Sequence, residues 1–135
     1  MSFPKVLLSS FGHITFEPEG EYKPRREFSH DVLVTPKGKI VKRKKKLSKK
    51  EGQEGHTPLS VDEIDHYLEK YNPSLLIIGT GQSGILPVSD ECIQHLKAKK
   101  IMYNLSKTPE AIERYNSLLS DVEDKRLLAI FHITC

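Results

Sequence analysis

The sequence predicts a single α/β domain with a mixed central sheet and an N-terminal β-hairpin. Three observations predict it. Apolar residues gather in short runs rather than spreading thinly, which favours a folded core over disorder. Turn residues punctuate the first half between strand-like segments. After residue 60 the pattern alternates between helical and strand periods, the grammar of parallel strands covered by helices.

The elements follow in order. Phe11 to Glu17 loosely alternates apolar and polar residues and reads as a strand, and Pro18, Gly20 and Pro24 then mark turns. His30 to Thr35 is a second strand, Pro36-Lys37-Gly38 a tight turn, and Lys39 to Lys42 the returning strand. Asp31 to Lys42 is thus a β-hairpin. Glu51 to Pro58, with two glycines and a proline, reads as a loop. Val61, Ile64, Leu68 and Tyr71 share one helical face. Ser60 with Glu63 forms a capping box ahead of them, and Asn72-Pro73 stops the helix. Leu75 to Ile78 is a continuous apolar run, expected of a strand buried on both faces. A second helix runs from about Asp90 to Lys99 with Ser89 as its cap, and Ile101 to Leu105 is the next strand. Thr108 caps a third helix, with Pro109 at its first position and Glu110 near the positive end of the dipole. Ala111, Ile112, Tyr115, Leu118 and Leu119 are its buried stripe, and Arg126 to Ile133 is the last strand.

Composition narrows the class. A chain of 135 residues is a common size for one domain, so residues 1–135 are expected to fold as one unit. No run approaches the roughly 20 apolar residues that span a bilayer, and Val6-Leu7-Leu8 is too short for a signal-peptide core. Cys92 and Cys135 match no disulfide framework or zinc spacing and read as reduced thiols, so the expected location is cytoplasmic. Nine of the Lys and Arg residues lie between Lys37 and Lys50, where there is no acid. Taking those nine charges from the net +3 leaves about −6 on the rest. The protein is a mildly acidic body with a basic arm at about residues 37–55.

Two strings could carry chemistry. LLIIGTGQSG places Gly79, Gly81 and Gly84 in G-x-G-x-x-G spacing after a strand, a turn able to bring backbone N–H groups to a phosphate. Ile85-Leu86-Pro87-Val88 intervenes before the next helix, however, and Asn104-Leu105-Ser106 stands where a ribose-binding acid is expected. Ile85 also replaces the lysine a P-loop requires. A sharp structural turn is the first reading. If a ligand does bind, Gly79, Thr80, Gly81, Gln82 and Gly84 are the candidates, with His56 and His132 beside them. His132 and Cys135 would point to opposite faces of a regular strand, so only a bend could pair them. The second string is the basic run. Lys42, Arg43, Lys44, Lys45, Lys46, Lys49 and Lys50 are candidates for a polyanion, although no aromatic interleaves them to stack on bases. Such a run should be mobile and attract nucleic acid weakly at low salt. No metal site, cofactor or catalytic residue is assigned.

FGHI, HDVLV, GHTPL, LLIIGTG, TPEAIERYN and AIFHITC follow one another in this order from about Phe11 to Cys135. The chain resembles in these strings the small Mth-type domain family. Its animal relatives include an adipogenesis-associated protein and an assembly factor for respiratory complex I. The resemblance implies a three-layer domain with a mixed sheet, brings no agreed catalytic residues, and favours protein partners. The lysine-rich insertion around Lys42 to Gly55 departs from the family pattern. The expected function is a non-catalytic interaction or assembly module. Polyanion binding through the basic arm is the second reading, and a small-ligand site or enzyme at the glycine turn the third. Protein is the expected partner, nucleic acid at low salt the alternative, and no membrane is expected.

Overall fold

Alternation along the central strands decides how the layers stack. In the computed structural model, which describes residues 3–51, 58–120 and 126–135, five strands form the main sheet. They are β4 (Val32–Val34), β5 (Ile40–Lys42), β6 (Leu75–Thr80), β7 (Met102–Ser106) and β8 (Leu127–His132), in the order β5-β4-β8-β6-β7. Strand β6 runs parallel to both β7 and β8, and β4 is antiparallel to β8 and β5, so the sheet is mixed. Successive side chains face opposite ways. Leu33, Leu76, Ile78, Leu128 and Ile130 pack under α1 (Val61–Tyr71) and α2 (Asp90–Ala98). Val32, Val34, Ile77, Ala129 and Phe131 face the other way, toward α3 (Thr108–Leu118).

A second, three-stranded antiparallel sheet shares that latter layer. It consists of β1 (Val6–Ser10), β2 (His13–Phe16) and β3 (Arg26–Phe28), in that order. Its Val6, Ile14 and Phe16 are buried against the main sheet. The expected strand at Phe11 to Glu17 is therefore β2 trimmed at both ends, because Gly12 turns the chain with φ of +79°. Strand β1, whose Leu7 and Leu8 face solvent, was not evident as a strand in the sequence. The predicted hairpin is β4-β5, and it extends the main sheet as an antiparallel wing.

The helix caps refine the expectations. The Ser60 hydroxyl accepts from the Glu63 amide at 3.2 Å, and Ser89 does the same for Cys92 at 3.1 Å. The reciprocal half of the capping box is absent, since the Ser60 amide donates to Ser48 Oγ and the Glu63 carboxylate is used elsewhere. The basic run does not stand free along its whole length. Residues 45–51 form a 3-10 helix that packs against α1. Among the described residues no helix is long and apolar enough to cross a membrane.

Candidate functional site

The carboxyl ends of β6 and β7 are where a doubly wound sheet offers a crevice. The chain leaves β6 toward α2 on one face and leaves β7 toward α3 on the other. The glycine turn lies in this crevice, and the chain itself fills it. The Gly81 amide donates to Thr108 Oγ1 at 2.8 Å, and the Thr108 hydroxyl donates to the His132 carbonyl at 2.5 Å. The Gln82 amide donates to the Thr134 carbonyl, and those of Ser83 and Ile85 donate to the Cys135 carbonyl at 3.1 and 3.0 Å. Thr80 Oγ1 donates across the crevice to the Ser106 carbonyl. The amides that could cradle a phosphate or an oxyanion are thus spent on the Thr108 hydroxyl and on backbone carbonyls.

Glycine is required here for two separate reasons. Gly81 sits at φ of +106°, where a side chain is strained, and a methyl there would overlap the backbone of Cys135. Gly79 has no such conformation, but a methyl would come within 2.8 Å of Thr108 Oγ1. Gly84, at φ of +74°, closes the turn onto Lys107. Thr108 therefore does not cap α3. Lys107 occupies the cap position with no side-chain bond, and Thr108, one residue inside the helix, ties β6 to β8.

His132 is buried, as is Asp31 beside it. A carboxylate can only accept, so His132 Nδ1 carries the proton toward Asp31 Oδ2, at 2.7 Å. His132 Nε2 lies 3.1 Å from Thr134 Oγ1. Thr134, His132 and Asp31 therefore stand in the order hydroxyl, imidazole, carboxylate, which resembles a nucleophile-base-acid array. What differs is the surroundings. Asp31 also accepts from the Ile133 amide and from Arg43, and the nearby turn amides are already occupied. Burial alone would raise the Asp31 pKa. The hydrogen bond and charge of His132 outweigh it, with help from the Ile133 amide and Lys45, and hold the carboxyl at about 2.

Arg43 corrects the reading of the basic run. Its side chain is fully buried, not presented to a polyanion. Its Nε and one terminal nitrogen grip the Glu63 carboxylate at 2.8 and 3.0 Å, a bidentate geometry that suits arginine. The other terminal nitrogen reaches Asp31 at 3.0 Å, and the Pro58 carbonyl takes a further bond. Glu63 accepts from Ser48 Oγ at 2.5 Å and from the Tyr67 hydroxyl at 2.6 Å. Burial and then the Glu63 charge push the Tyr67 phenol far above its ordinary range. Lys42, Lys44, Lys45 and Lys46 remain exposed. His56 and the side chains of Lys49 and Lys50 lie outside the described residues.

The remaining motif residues also resolve into internal ties. Tyr115 donates to the Pro4 carbonyl, and the Asn116 amide accepts from Val6 N at 3.0 Å and donates to Val6 O at 2.9 Å. The Tyr-Asn pair thus holds β1 onto α3, with the side chain of Asn116 acting as a neighbouring strand would. Sequence reasoning missed the outer edge of β7. Met102 is 71% exposed and Leu105 37%, no charged residue stands between Ile101 and Ser106, and no described strand pairs with that edge.

A family profile described as a protein of unknown function (DUF498/DUF598) matches residues 9–132. A conserved hypothetical protein of Pyrococcus horikoshii OT3 has a solved structure 31% identical, with a TM-score of 0.76 over 97% of this chain and 99% of that one. The solved structure called MT938 is 28% identical, with a TM-score of 0.70 over 98% and 99% of the two chains. A Mth938-like domain of Bordetella pertussis is 17% identical, with a TM-score of 0.62 over 96% and 85%, and so supports the fold alone. No curated protein matches the chain significantly. On its profile match and its Mth938-like fold, the chain belongs to the DUF498/DUF598 family of Mth-type α/β domains, a family of unknown function.

Proposed function

We propose that this protein is a non-catalytic docking module whose β7 edge accepts an extended segment of a protein partner. One observation carries the reading: among the described residues nothing pairs with the outer edge of β7, which has exposed apolar side chains and no charge along it. An edge strand presents a row of free backbone donors and acceptors, a template for strand addition. Proteins normally guard such edges with charge, as lysines do on the opposite edge, at β5. Lys100 and Lys107 flank β7 at its two ends, so an apolar segment with acidic flanks is complementary to it.

Paired affinity captures from the native extract test the reading. One uses the unaltered chain, the other a Met102→Lys/Leu105→Lys double variant whose thermal transition is first shown to be unchanged. The reading expects a stoichiometric protein partner that the double variant loses. A partner retained by both, or lost only on charge reversal at Lys42, Lys44 and Lys46, contradicts it and favours the basic arm.

A further inference from the structure

At the opposite end of the sheet from the glycine turn, the β4-β5 turn, the last residues of α1 and the start of β8 enclose a groove of about 610 Å³. That volume lies within the range of small-molecule sites, roughly 300–1,000 Å³. Among the described residues four cations line it, Lys37, Lys39, Lys70 and Arg126, and no acidic residue does. Its remaining walls include Pro36, Val41 and the ring of Tyr71. Arg126 donates from Nε to the Asn72 carbonyl at 2.5 Å, which fixes where its charge stands. Lys70 Nζ lies 5.6 Å from the centre of the Tyr71 ring, so cationic and aromatic surfaces meet at one place.

We infer that this groove binds a free nucleotide, with its phosphates among Lys37, Lys39, Lys70 and Arg126 and its base against Tyr71 and Val41. Two features select that chemistry. The four cations repel one another, and a ligand with several negative charges relieves the repulsion where one carboxylate would not. The apolar and aromatic wall matches a heteroaromatic ring and gives inorganic polyphosphate nothing to stack on. The volume is of the size that one nucleotide fills. This site is separate from the β7 edge, and from the exposed lysines of Lys42 to Lys46, none of which lines it.

Titration of the whole chain by NMR with ATP as the probe tests the inference. Adenosine, inorganic triphosphate and a short oligothymidylate serve as comparisons. Saturable ATP binding is expected, with shifts at Lys37 to Val41, Lys70, Tyr71 and Arg126. Adenosine and triphosphate should each bind about tenfold more weakly, since each loses one half of the contacts. Lys37→Glu/Lys39→Glu and, separately, Lys70→Glu should each weaken ATP by about tenfold or more, the scale of lost charge-assisted bonds. All three positions are exposed, and unchanged thermal transitions are checked first. No ATP shifts, shifts confined to Lys42 to Lys46, or triphosphate binding as tight as ATP would overturn the inference. So would tighter binding of the oligothymidylate, which would make the groove a nucleic-acid surface.

Discussion

The carboxyl end of the sheet and the outer edge of β7 lie side by side, and they treat their polar groups in opposite ways. At the carboxyl end the glycine turn, Thr108, His132 and residues 134–135 bond to one another. Along β7 the described strands pair with the backbone on one side only, and Met102 and Leu105 face solvent. The first region holds the glycine-turn motif and the terminal His-Ile-Thr-Cys, and the second holds none of the motif strings. The motifs at the carboxyl end therefore report internal stitching, while the exposed strand edge is built of residues that belong to no motif.

That contrast can be broken by substitution, because an internal tie costs stability when cut and an open edge does not. Arg43→Ala should have the largest effect. It removes the buried cation that pairs with Glu63 and Asp31, and losing one partner of a buried pair costs about 3–5 kcal/mol. Chemical denaturation should show it, and a loss under about 1 kcal/mol would mean the network is wetter than it looks. Gly81→Ala comes next. With φ of +106° and the Cys135 backbone in the way, it should cost about 1–3 kcal/mol, with the last strand losing hydrogen-exchange protection first.

Acid sharpens the same contrast. The Asp31 pKa falls from 3.8 to about 2 on folding, so the unfolded chain binds the proton more readily. Its contribution is fully present above about pH 4 and is lost as pH falls toward 2. Roughly 2 kcal/mol is at stake, at about 1.4 kcal/mol per pKa unit. Asp31→Asn should flatten the pH dependence of the denaturation midpoint in that window. The smallest effect belongs to the edge. Met102→Lys/Leu105→Lys should change stability by no more than about 0.5 kcal/mol, as exposed substitutions do.

The fold was legible where the pattern is local. Val61, Ile64, Leu68 and Tyr71 marked α1, Ser60 and Ser89 marked the caps, and the run at Leu75 marked a strand with later strands on both sides. Pairings over long separations were not legible. Arg43 sits among lysines, and its partners Asp31 and Glu63 are 12 and 20 residues away. One signal pointed to it. It is the lone arginine among nine basic residues, and arginine is the cation suited to buried bidentate pairing. Thr108 was read as a cap because threonine favours that position, and only the return of β8 beside β6 shows that its hydroxyl has another use. The open edge of β7 was invisible for a different reason. Whether a strand lies at an edge depends on sheet order, which no local pattern encodes.

Hydrogen exchange on the complex recovered from the native extract tests the docking account most directly. The account predicts new protection of amides within Met102 to Ser106 in the complex, with Gly79 to Gly84 as protected in the free chain as in the bound one. New protection at the glycine turn, with β7 exchanging as freely as before, would contradict it.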